Sequence, residues 1–355
     1  MNAIPPFAPP AFLGNTHFQT FTAYWPRSDS SLDWRESKLR TFDVDEETCV
    51  TADCRFQQEP RDAPTMIFVH GLSSHGRSPY IVGPSAKAYH AGFNSVRINI
   101  RNCGETEALT PTLFHAGLTA DIRAVIEELA DVDGLKEFFL VGFSLGGTMV
   151  VRLGQELEEA NFSGLSGIVA VSPALDLAAC SEQLDGDREG HFYRNRILAD
   201  LRRLLVLKAR AGREGRCALR APIFEQMLAE GDGCLREFRT MREWNDAVTA
   251  PAFGFDDADD YYAKANALSA ASSLVTPTLI LSSHDDALVP SASLERKEIR
   301  ENAAIHLFLT ERGGHCGFFA GKPCDGDRDR FWVEHRIIAF AAGLAADRPS
   351  PLLAH

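Results

Sequence analysis

The chain has 355 residues, 45% of them hydrophobic and 24% charged, a composition typical of a globular protein with a large buried core. Its formal net charge of −13 argues against nucleic acid as a partner, because phosphate binding requires a basic surface. The eight cysteines include no C-x-x-C pair, which excludes a zinc ribbon and favours reduced thiols.

The N-terminal region, residues 1–36, is predicted to be an arm that packs on the body of the protein. It lacks the basic and apolar stretches of a secretory signal, and no apolar run in the chain approaches the roughly 20 residues of a membrane helix. We therefore expect a cytoplasmic protein. Prolines at positions 5, 6, 9 and 10 remove backbone donors and predict an extended conformation.

Apolar runs alternate with amphipathic segments in the body of the chain. Two β-like runs within residues 37–56 predict an antiparallel hairpin at the edge of a sheet. The repeated strand–helix units that follow predict an α/β fold, with a mostly parallel sheet and helices on both faces, built from residues 37–174 and 275–355. The predicted strands are residues 65–69, 95–100, 138–141, 167–173, 278–281 and 304–309, and the main predicted helices are residues 80–91, 118–130 and 330–344.

The alternation stops over residues 175–274, which look helical and predict an inserted cap over the strand ends. Within this cap, residues 194–216 form a basic, amphipathic helix with a stripe of leucines. The stripe is expected to pack on the body. The alternative is a weak contact of this helix with a membrane surface, which salt-sensitive flotation of the protein with anionic liposomes would reveal.

A G-x-S-x-G pattern spans residues 142–146, between a predicted strand and a helix-like segment. This setting is that of a nucleophile elbow, a sharp turn that lifts a serine side chain above the end of the sheet. The flanking glycines are needed because a Cβ at either position would collide with the tight backbone. The pattern therefore predicts Ser144 as a nucleophile.

Candidates for an acid and a base follow Ser144 in the order serine, acid, histidine, which is the chain order of an α/β hydrolase. Asp285 and Asp286 lie just after a predicted strand, where ligands gather in parallel sheets. We favour Asp286 because it lies four residues before Pro290, with Asp285 as the alternative. His315, in a glycine-flanked loop after the last predicted strand, is the candidate general base.

An oxyanion hole requires two backbone N–H donors. The first predicted donor is Leu145, which follows the nucleophile at the positive end of a helix. The second is Leu72, in the loop after strand 65–69, where Gly71 leaves room for the backbone to approach. Gly71 and Phe143 are also predicted to border the substrate, with core packing as the alternative for Phe143.

Further segments match the motifs of a known family, and they are residues 14–20, 70–72, 101–104, 114–121, 142–146, 250–255 and 260–262. Through them the chain resembles the YheT-like branch of the α/β-hydrolase superfamily, which includes ABHD1/ABHD3-type and EMB8-like proteins. The triad motifs are generic to the superfamily, whereas the arm and cap segments are more specific to the branch. One departure is Ala287, where the family usually has a proline after the second aspartate.

The resemblance implies the α/β-hydrolase fold and, with Ser144, Asp286 and His315 in order, a serine hydrolase of the carboxylesterase type. We expect it to cleave small-molecule or lipid esters with acyl groups of short to medium length, through an acyl-enzyme. Such a triad needs no metal or organic cofactor. Alternatives with the same triad are acyl transfer to an alcohol and hydrolysis of phospholipids or other lipid esters. A non-catalytic binding protein on this fold is less favoured, because no triad residue is missing.

Overall fold

The structure, a computed structural model, describes residues 4–27, 36–186 and 188–346. This part of the chain is built on one mixed sheet whose eight strands are β1 (Lys38–Asp45), β2 (Thr48–Arg55), β3 (Thr65–Val69), β4 (Asn94–Asn99), β5 (Phe138–Phe143), β6 (Leu165–Val171), β7 (Thr278–Ser283) and β8 (Ile305–Thr310). Their order across the sheet is β1-β2-β4-β3-β5-β6-β7-β8. β2 pairs antiparallel with both β1 and β4, and the other neighbouring strands pair in parallel.

The α-helices of the described residues fall into three groups along the chain. Before β6 lie α1 (Thr16–Thr22), α2 (Pro79–His90), α3 (Ala120–Asp131) and α4 (Leu145–Glu159). Between β6 and β7 lie α5 (Leu177–Gly186), α6 (Arg188–Arg213), α7 (Ile223–Glu230), α8 (Met241–Trp244), α9 (Ala250–Phe253), α10 (Ala258–Ala265) and α11 (Leu268–Ser273). After β7 lie α12 (Lys297–Arg300) and α13 (Trp332–Ala346).

Alternate residues of the central strands face opposite sides of the sheet, as the two-residue period of a β-strand requires. On β3, Ile67 and Val69 pack in the layer formed with α3 and α4, whereas Met66 and Phe68 pack in the layer formed with α2 and α13. All four side chains are fully buried. Burial on both faces explains why the parallel strands read as continuous apolar runs in the sequence.

This architecture confirms the predicted fold, a mostly parallel sheet with an antiparallel edge hairpin and helices on both faces. The strand predicted at residues 138–141 continues to Phe143, because Gly142 and Phe143 still pair with Ala170 and Val171 of β6. The elbow serine therefore follows directly on a hydrogen-bonded strand end.

The leucine stripe of the basic helix α6 faces the interior. Leu198, Leu201, Leu204 and Leu205 are each at most 8% exposed, which agrees with the packing alternative for this segment. Contact of α6 with a lipid surface stays a prediction. No helix in the described part of the chain is long and apolar enough to cross a membrane.

The prediction of an extended N-terminal arm is wrong for Thr16–Thr22, which form helix α1. The side chain of Asn15 caps this helix by accepting a hydrogen bond from the N–H of His17 at 2.8 Å. Asparagine at an N-cap is a helix-start signal, and the prolines before it obscure that signal. Residues 1–3 and 28–35 of the predicted arm lie outside the described residues.

A buried glutamine joins α1 to the loop after β8. The side-chain oxygen of Gln19 accepts from the N–H of Phe319 at 2.8 Å, and its amide donates to the carbonyls of Leu13 at 2.8 Å and Phe319 at 3.2 Å. Gly317 packs so closely that a Cβ there would lie 1.7 Å from the carbonyl oxygen of Gln19. Helix α1 is therefore an integral part of the structure around this loop.

Replacing Gln19 by alanine should lower the free energy of unfolding by about 1–3 kcal/mol, because the buried N–H of Phe319 loses its acceptor. Urea titration measures this loss. The matched control is Gln155→Ala on α4, whose amide contacts Glu159 at the surface and should change the unfolding free energy by less than about 0.5 kcal/mol. Equal losses in the two variants would contradict the role assigned to Gln19.

Candidate active site

Ser144 occupies the turn between β5 and α4 and is partly exposed. Its backbone angles are φ 54° and ψ −120°, outside the regions that L-residues ordinarily occupy. Holding a non-glycine residue there costs on the order of 1–3 kcal/mol, so the surrounding structure must enforce the conformation. One such restraint is the N–H of Ser144, which donates to the carbonyl of Val171 on β6 at 2.8 Å.

The glycines of the elbow are required by close backbone contacts. A Cβ on Gly142 would lie 2.2 Å from the carbonyl oxygen of Gly146. A Cβ on Gly146 would lie 2.4 Å from the carbonyl oxygen of Val69, at the end of β3. The first turn of α4 can therefore press against the strand ends only because these side chains are absent.

Asp286 and His315 form a buried pair. Nδ1 of His315 lies 2.8 Å from Oδ2 of Asp286, and the two residues are 8% and 5% exposed, respectively. The other carboxylate oxygen, Oδ1, accepts from the N–H groups of Leu288 at 2.9 Å and Val289 at 3.1 Å. The carboxylate is thus fixed against one nitrogen of the imidazole, and Nε2 is the nitrogen available for proton exchange.

Two opposing effects set the pKa of His315. Burial disfavours the imidazolium and lowers the pKa, but the Asp286 carboxylate, with a smaller contribution from Cys316, outweighs burial and holds the pKa well above the usual 6.5. His70 provides the contrast within the same chain, because its ring contacts the carbonyl of Gly71 and no carboxylate. Burial lowers the pKa of His70 to about 4.

The end of β6 lies between the serine and the histidine loop. The carbonyl of Val171 accepts from the N–H of Ser144 at 2.8 Å and from the thiol of Cys316 at 3.8 Å. The N–H of Cys316 also donates to Oγ of Ser172 at 3.2 Å. Because Cys316 follows His315, the structure brings Ser144 and the Asp286–His315 pair to the same edge of the sheet.

Asp285, the alternative acid, has different contacts from Asp286. Its Oδ1 accepts from the N–H groups of Gly313 and Gly314, both at 2.9 Å, so its carboxylate shapes the turn that precedes His315. Of the two aspartates, it is Asp286 whose carboxylate contacts the imidazole.

Two threonines of α1 also reach this region. Oγ1 of Thr20 accepts from the N–H of His315 at 2.9 Å, and Oγ1 of Thr16 donates to the carbonyl of Asp285 at 2.5 Å. Sequence reasoning included both threonines in the family segment 14–20 but assigned neither a role. A threonine in an N-terminal arm carries no signal that it bonds a residue 295 positions away.

The loop after β3 lies against the elbow. A Cβ on Gly71 would lie 3.2 Å from the Cβ of Ser144, so glycine allows the approach that was predicted. The N–H of Gly71 donates to the hydroxyl of Tyr80 at 3.1 Å and is thereby engaged. Leu72 and Leu145, the two predicted oxyanion donors, line the same cavity.

Phe143, predicted to border the substrate, belongs to the core. Its side chain is 1% exposed and packs edge-on against Tyr80, with ring centroids 5.3 Å apart. As the last residue of β5, it points into the layer of α2 and α13. Side chains alternate across a strand, so adjacency to the serine in sequence does not put Phe143 on the same side.

An apolar cavity of about 140 Å³ adjoins the predicted oxyanion donors. Leucine- and phenylalanine-lined cavities of similar volume stay dry and bind small apolar molecules. The apolar lining is formed by Leu72, Leu113, Phe114, Ala116, Leu145, Leu177, Cys180, Leu184, Leu201, Leu204, Leu205, Met241, Trp244 and Val248. The leucine stripe of α6 therefore forms a wall of this cavity.

Comparison with known proteins gives the family. The model described as the alpha/beta hydrolase family matches residues 66–325, well over half of the chain. The chain belongs to the alpha/beta hydrolase family. Among solved structures, this hydrolase is similar to the esterase Pf2001 of Pyrococcus furiosus, with a TM-score of 0.55, 13% identity, and coverage of 91% of this chain and 96% of that chain. At this identity the similarity shows the fold alone.

Relatives identify the branch. The YheT protein of Escherichia coli is 29% identical to this hydrolase over 347 residues, covering 93% of this chain and 91% of that protein. The monoacylglycerol lipase of Saccharomyces cerevisiae is 28% identical over 282 residues, covering 78% of this chain and 58% of that protein. The predicted membership of the YheT-like branch is confirmed.

Replacing Asp286 by asparagine should lower the pKa of His315, because the imidazolium loses the carboxylate that opposes the effect of burial. Titration of the imidazole resonances by NMR measures the shift. Asp285→Asn is the matched control, since it leaves the carboxylate beside His315 and should keep the pKa high. The same shift in both variants, or none in Asp286→Asn, would show that another group controls the imidazole.

Proposed function

We propose that this hydrolase is a serine carboxylic ester hydrolase that works through an acyl-enzyme. Ser144 is the nucleophile, His315 the general base, and Asp286 the acid that orients the imidazole. The observation that carries the proposal is the buried Asp286–His315 pair, with 2.8 Å between Oδ2 and Nδ1, at the same sheet edge as a serine with strained backbone. The name of the yeast relative, a lipase, supports the reaction class.

Acylation begins when Oγ of Ser144 attacks the ester carbonyl carbon while Nε2 of His315 takes the hydroxyl proton. The Asp286 carboxylate, which already raises the pKa of His315, stabilises the imidazolium that forms. The backbone N–H groups of Leu72 and Leu145 donate to the developing oxyanion. Leu145 is the first residue of α4, so the helix dipole adds positive potential there.

The attack produces a tetrahedral intermediate. This intermediate collapses when His315 gives the proton to the departing alcohol, which leaves the acyl group esterified to Ser144. A water molecule then attacks the carbonyl carbon of this ester while Nε2 of His315 takes a proton from the water. The carboxylic acid is released, and Ser144 regains its proton. Each atom transferred comes from the ester, the water or the two side chains, so the cycle needs no further reactant.

The size and lining of the cavity favour substrates with acyl groups of short to medium length. Its lining is mainly apolar, and its volume of about 140 Å³ suits a small apolar group better than a long chain. The burial of an uncharged chain in such a cavity is favourable at roughly 0.8 kcal/mol for each methylene group. Lipid esters whose acyl chains fit the cavity fall within the same proposal.

Labelling with a fluorophosphonate probe tests the proposal. The probe should react with the wild-type protein at Ser144, and Ser144→Ala should abolish labelling while leaving the protein folded. The matched control is Ser166→Ala, which changes a buried serine at the start of β6. This variant should be labelled like the wild type. If folded wild-type protein is not labelled, the chain is a binding protein on a hydrolase fold and the enzyme proposal fails.

Acyl transfer to an alcohol is the second candidate, and the apolar cavity favours it because small alcohols partition into such a site better than water does. Product analysis separates the two reactions. With an ester substrate and added ethanol, a hydrolase should yield mainly the free acid, whereas a transferase should yield mainly the ethyl ester. A predominance of ethyl ester at low ethanol concentration would reassign the reaction.

A further inference from the structure

Four polar side chains lie together in the wall of the apolar cavity, and they are Ser181, Asn245, Thr249 and Tyr262. Each is at most 8% exposed. A purely hydrocarbon acyl chain gives no reason to place them there, because burial of a polar group costs free energy unless the group is hydrogen-bonded. Their mutual contacts therefore decide what this part of the cavity can bind.

The four side chains form one directed series of hydrogen bonds, which we call the polar relay. Oγ1 of Thr249 donates to Oδ1 of Asn245 at 2.9 Å. The amide Nδ2 of Asn245 donates to the hydroxyl of Tyr262 at 2.9 Å, and that hydroxyl donates to Oγ of Ser181 at 2.9 Å. Hydrogen bonds arranged in series polarise one another, which strengthens the donor at the end.

The relay ends in a donor. Because Ser181 accepts the proton of Tyr262, its own hydroxyl proton needs another acceptor, and no hydrogen bond of the described residues supplies one. A serine within a helix commonly donates to the carbonyl four residues earlier, here Leu177, but this bond is not formed. The second amide proton of Asn245 is also without an acceptor among the described residues. The relay therefore has two protons without an acceptor, one on Ser181 and one on Asn245, beside free lone pairs on Ser181 and Thr249.

On the basis of the proposed esterase function, we propose that the cavity selects esters whose acyl chain carries a neutral oxygen acceptor, and that Ser181 donates the hydrogen bond that recognises it. A ketone, ether or hydroxyl oxygen within the chain meets this requirement. Charged groups do not, because the described residues of the cavity lining include no Asp, Glu, Lys or Arg to pair with a buried charge. A donor-only group would leave the serine proton unpaired.

Two other polar residues line the cavity outside the relay. His115 accepts from the N–H of Gly117 through Nδ1 at 3.2 Å, and burial lowers its pKa to about 4, so the ring is neutral. The hydroxyl of Tyr261 accepts from the N–H of Ala116 at 3.1 Å, and its own proton has no acceptor among the described residues, so Tyr261 is the competing donor that the test below must separate from Ser181. Neither contacts the relay by a hydrogen bond. Tyr261 and Tyr262 therefore offer a matched pair of hydroxyl deletions, one outside the relay and one within it.

The test compares kcat/KM for p-nitrophenyl octanoate with kcat/KM for ketooctanoate esters in which the ketone is moved along the chain. At the position that reaches Ser181, the wild type should prefer the keto ester about tenfold, the value expected of one neutral hydrogen bond. Ser181→Ala and Tyr262→Phe should bring this ratio to about one. Two control variants should keep the wild-type ratio. They are Tyr261→Phe and Ser85→Ala, the second of which changes a buried serine on α2.

The possible failures are distinguishable, provided that each variant melts like the wild type. A wild-type ratio near one at every ketone position overturns the inference, although ester hydrolysis itself stands. A preference that survives in Ser181→Ala, or that disappears in Tyr261→Phe, also overturns it, because the donor then lies outside the relay. No turnover of any ester together with no fluorophosphonate labelling would instead remove the proposed function on which the inference rests.

Discussion

The candidate site depends on one steric constraint, the lack of a side chain where the first turn of α4 meets the end of β3. A Cβ on Gly146 would lie 2.4 Å from the carbonyl oxygen of Val69, so any larger residue would push the helix away from the strand. Leu72 lies just beyond that strand end and Leu145 begins that helix, so this contact sets the separation of the two proposed oxyanion donors. The strained backbone of Ser144 is held by the same turn. A single close approach thus positions both the proposed nucleophile and the proposed oxyanion donors.

The part of the candidate site that holds the Asp286–His315 pair is assembled in a different way, through side chains that accept backbone N–H groups of an irregular loop. Asp285 accepts from the turn before His315, Thr20 accepts from His315 itself, and Ser172 accepts from Cys316. Loops have no regular backbone pairing, so buried N–H groups in them must find such acceptors. Helix α1 consequently belongs to the structural frame of the candidate site.

The sequence predicted those parts of the molecule that depend on local chemistry. Apolar strand runs and the G-x-S-x-G elbow express burial and steric requirements that act within a few residues, and they were sufficient for the sheet and for the position of Ser144. Phe143 was misplaced because its direction depends on which helical layer covers each face. The contact of Thr20 with the histidine loop spans 295 positions and leaves no local pattern. Asp285 and Asp286 are adjacent and chemically identical; the spacing to Pro290 favoured Asp286, and the three-dimensional contacts show that it is the one beside the imidazole.

The polar relay, on which the proposed selectivity for keto esters depends, includes residues of an irregular helical turn. The segment Asn245–Thr249, between α8 and α9, is a π-helix, whose turn contains one residue more than the hydrogen-bonded turn of an α-helix. One extra residue rotates everything that follows by about 100° around the helix axis, so α8 and the π-helical turn line the cavity, whereas α9 does not. Within this turn Thr249 bonds the side chain of Asn245, which is where the polar relay begins. The elbow and the relay thus rest on separate backbone irregularities, so relatives can share the first and differ in the second.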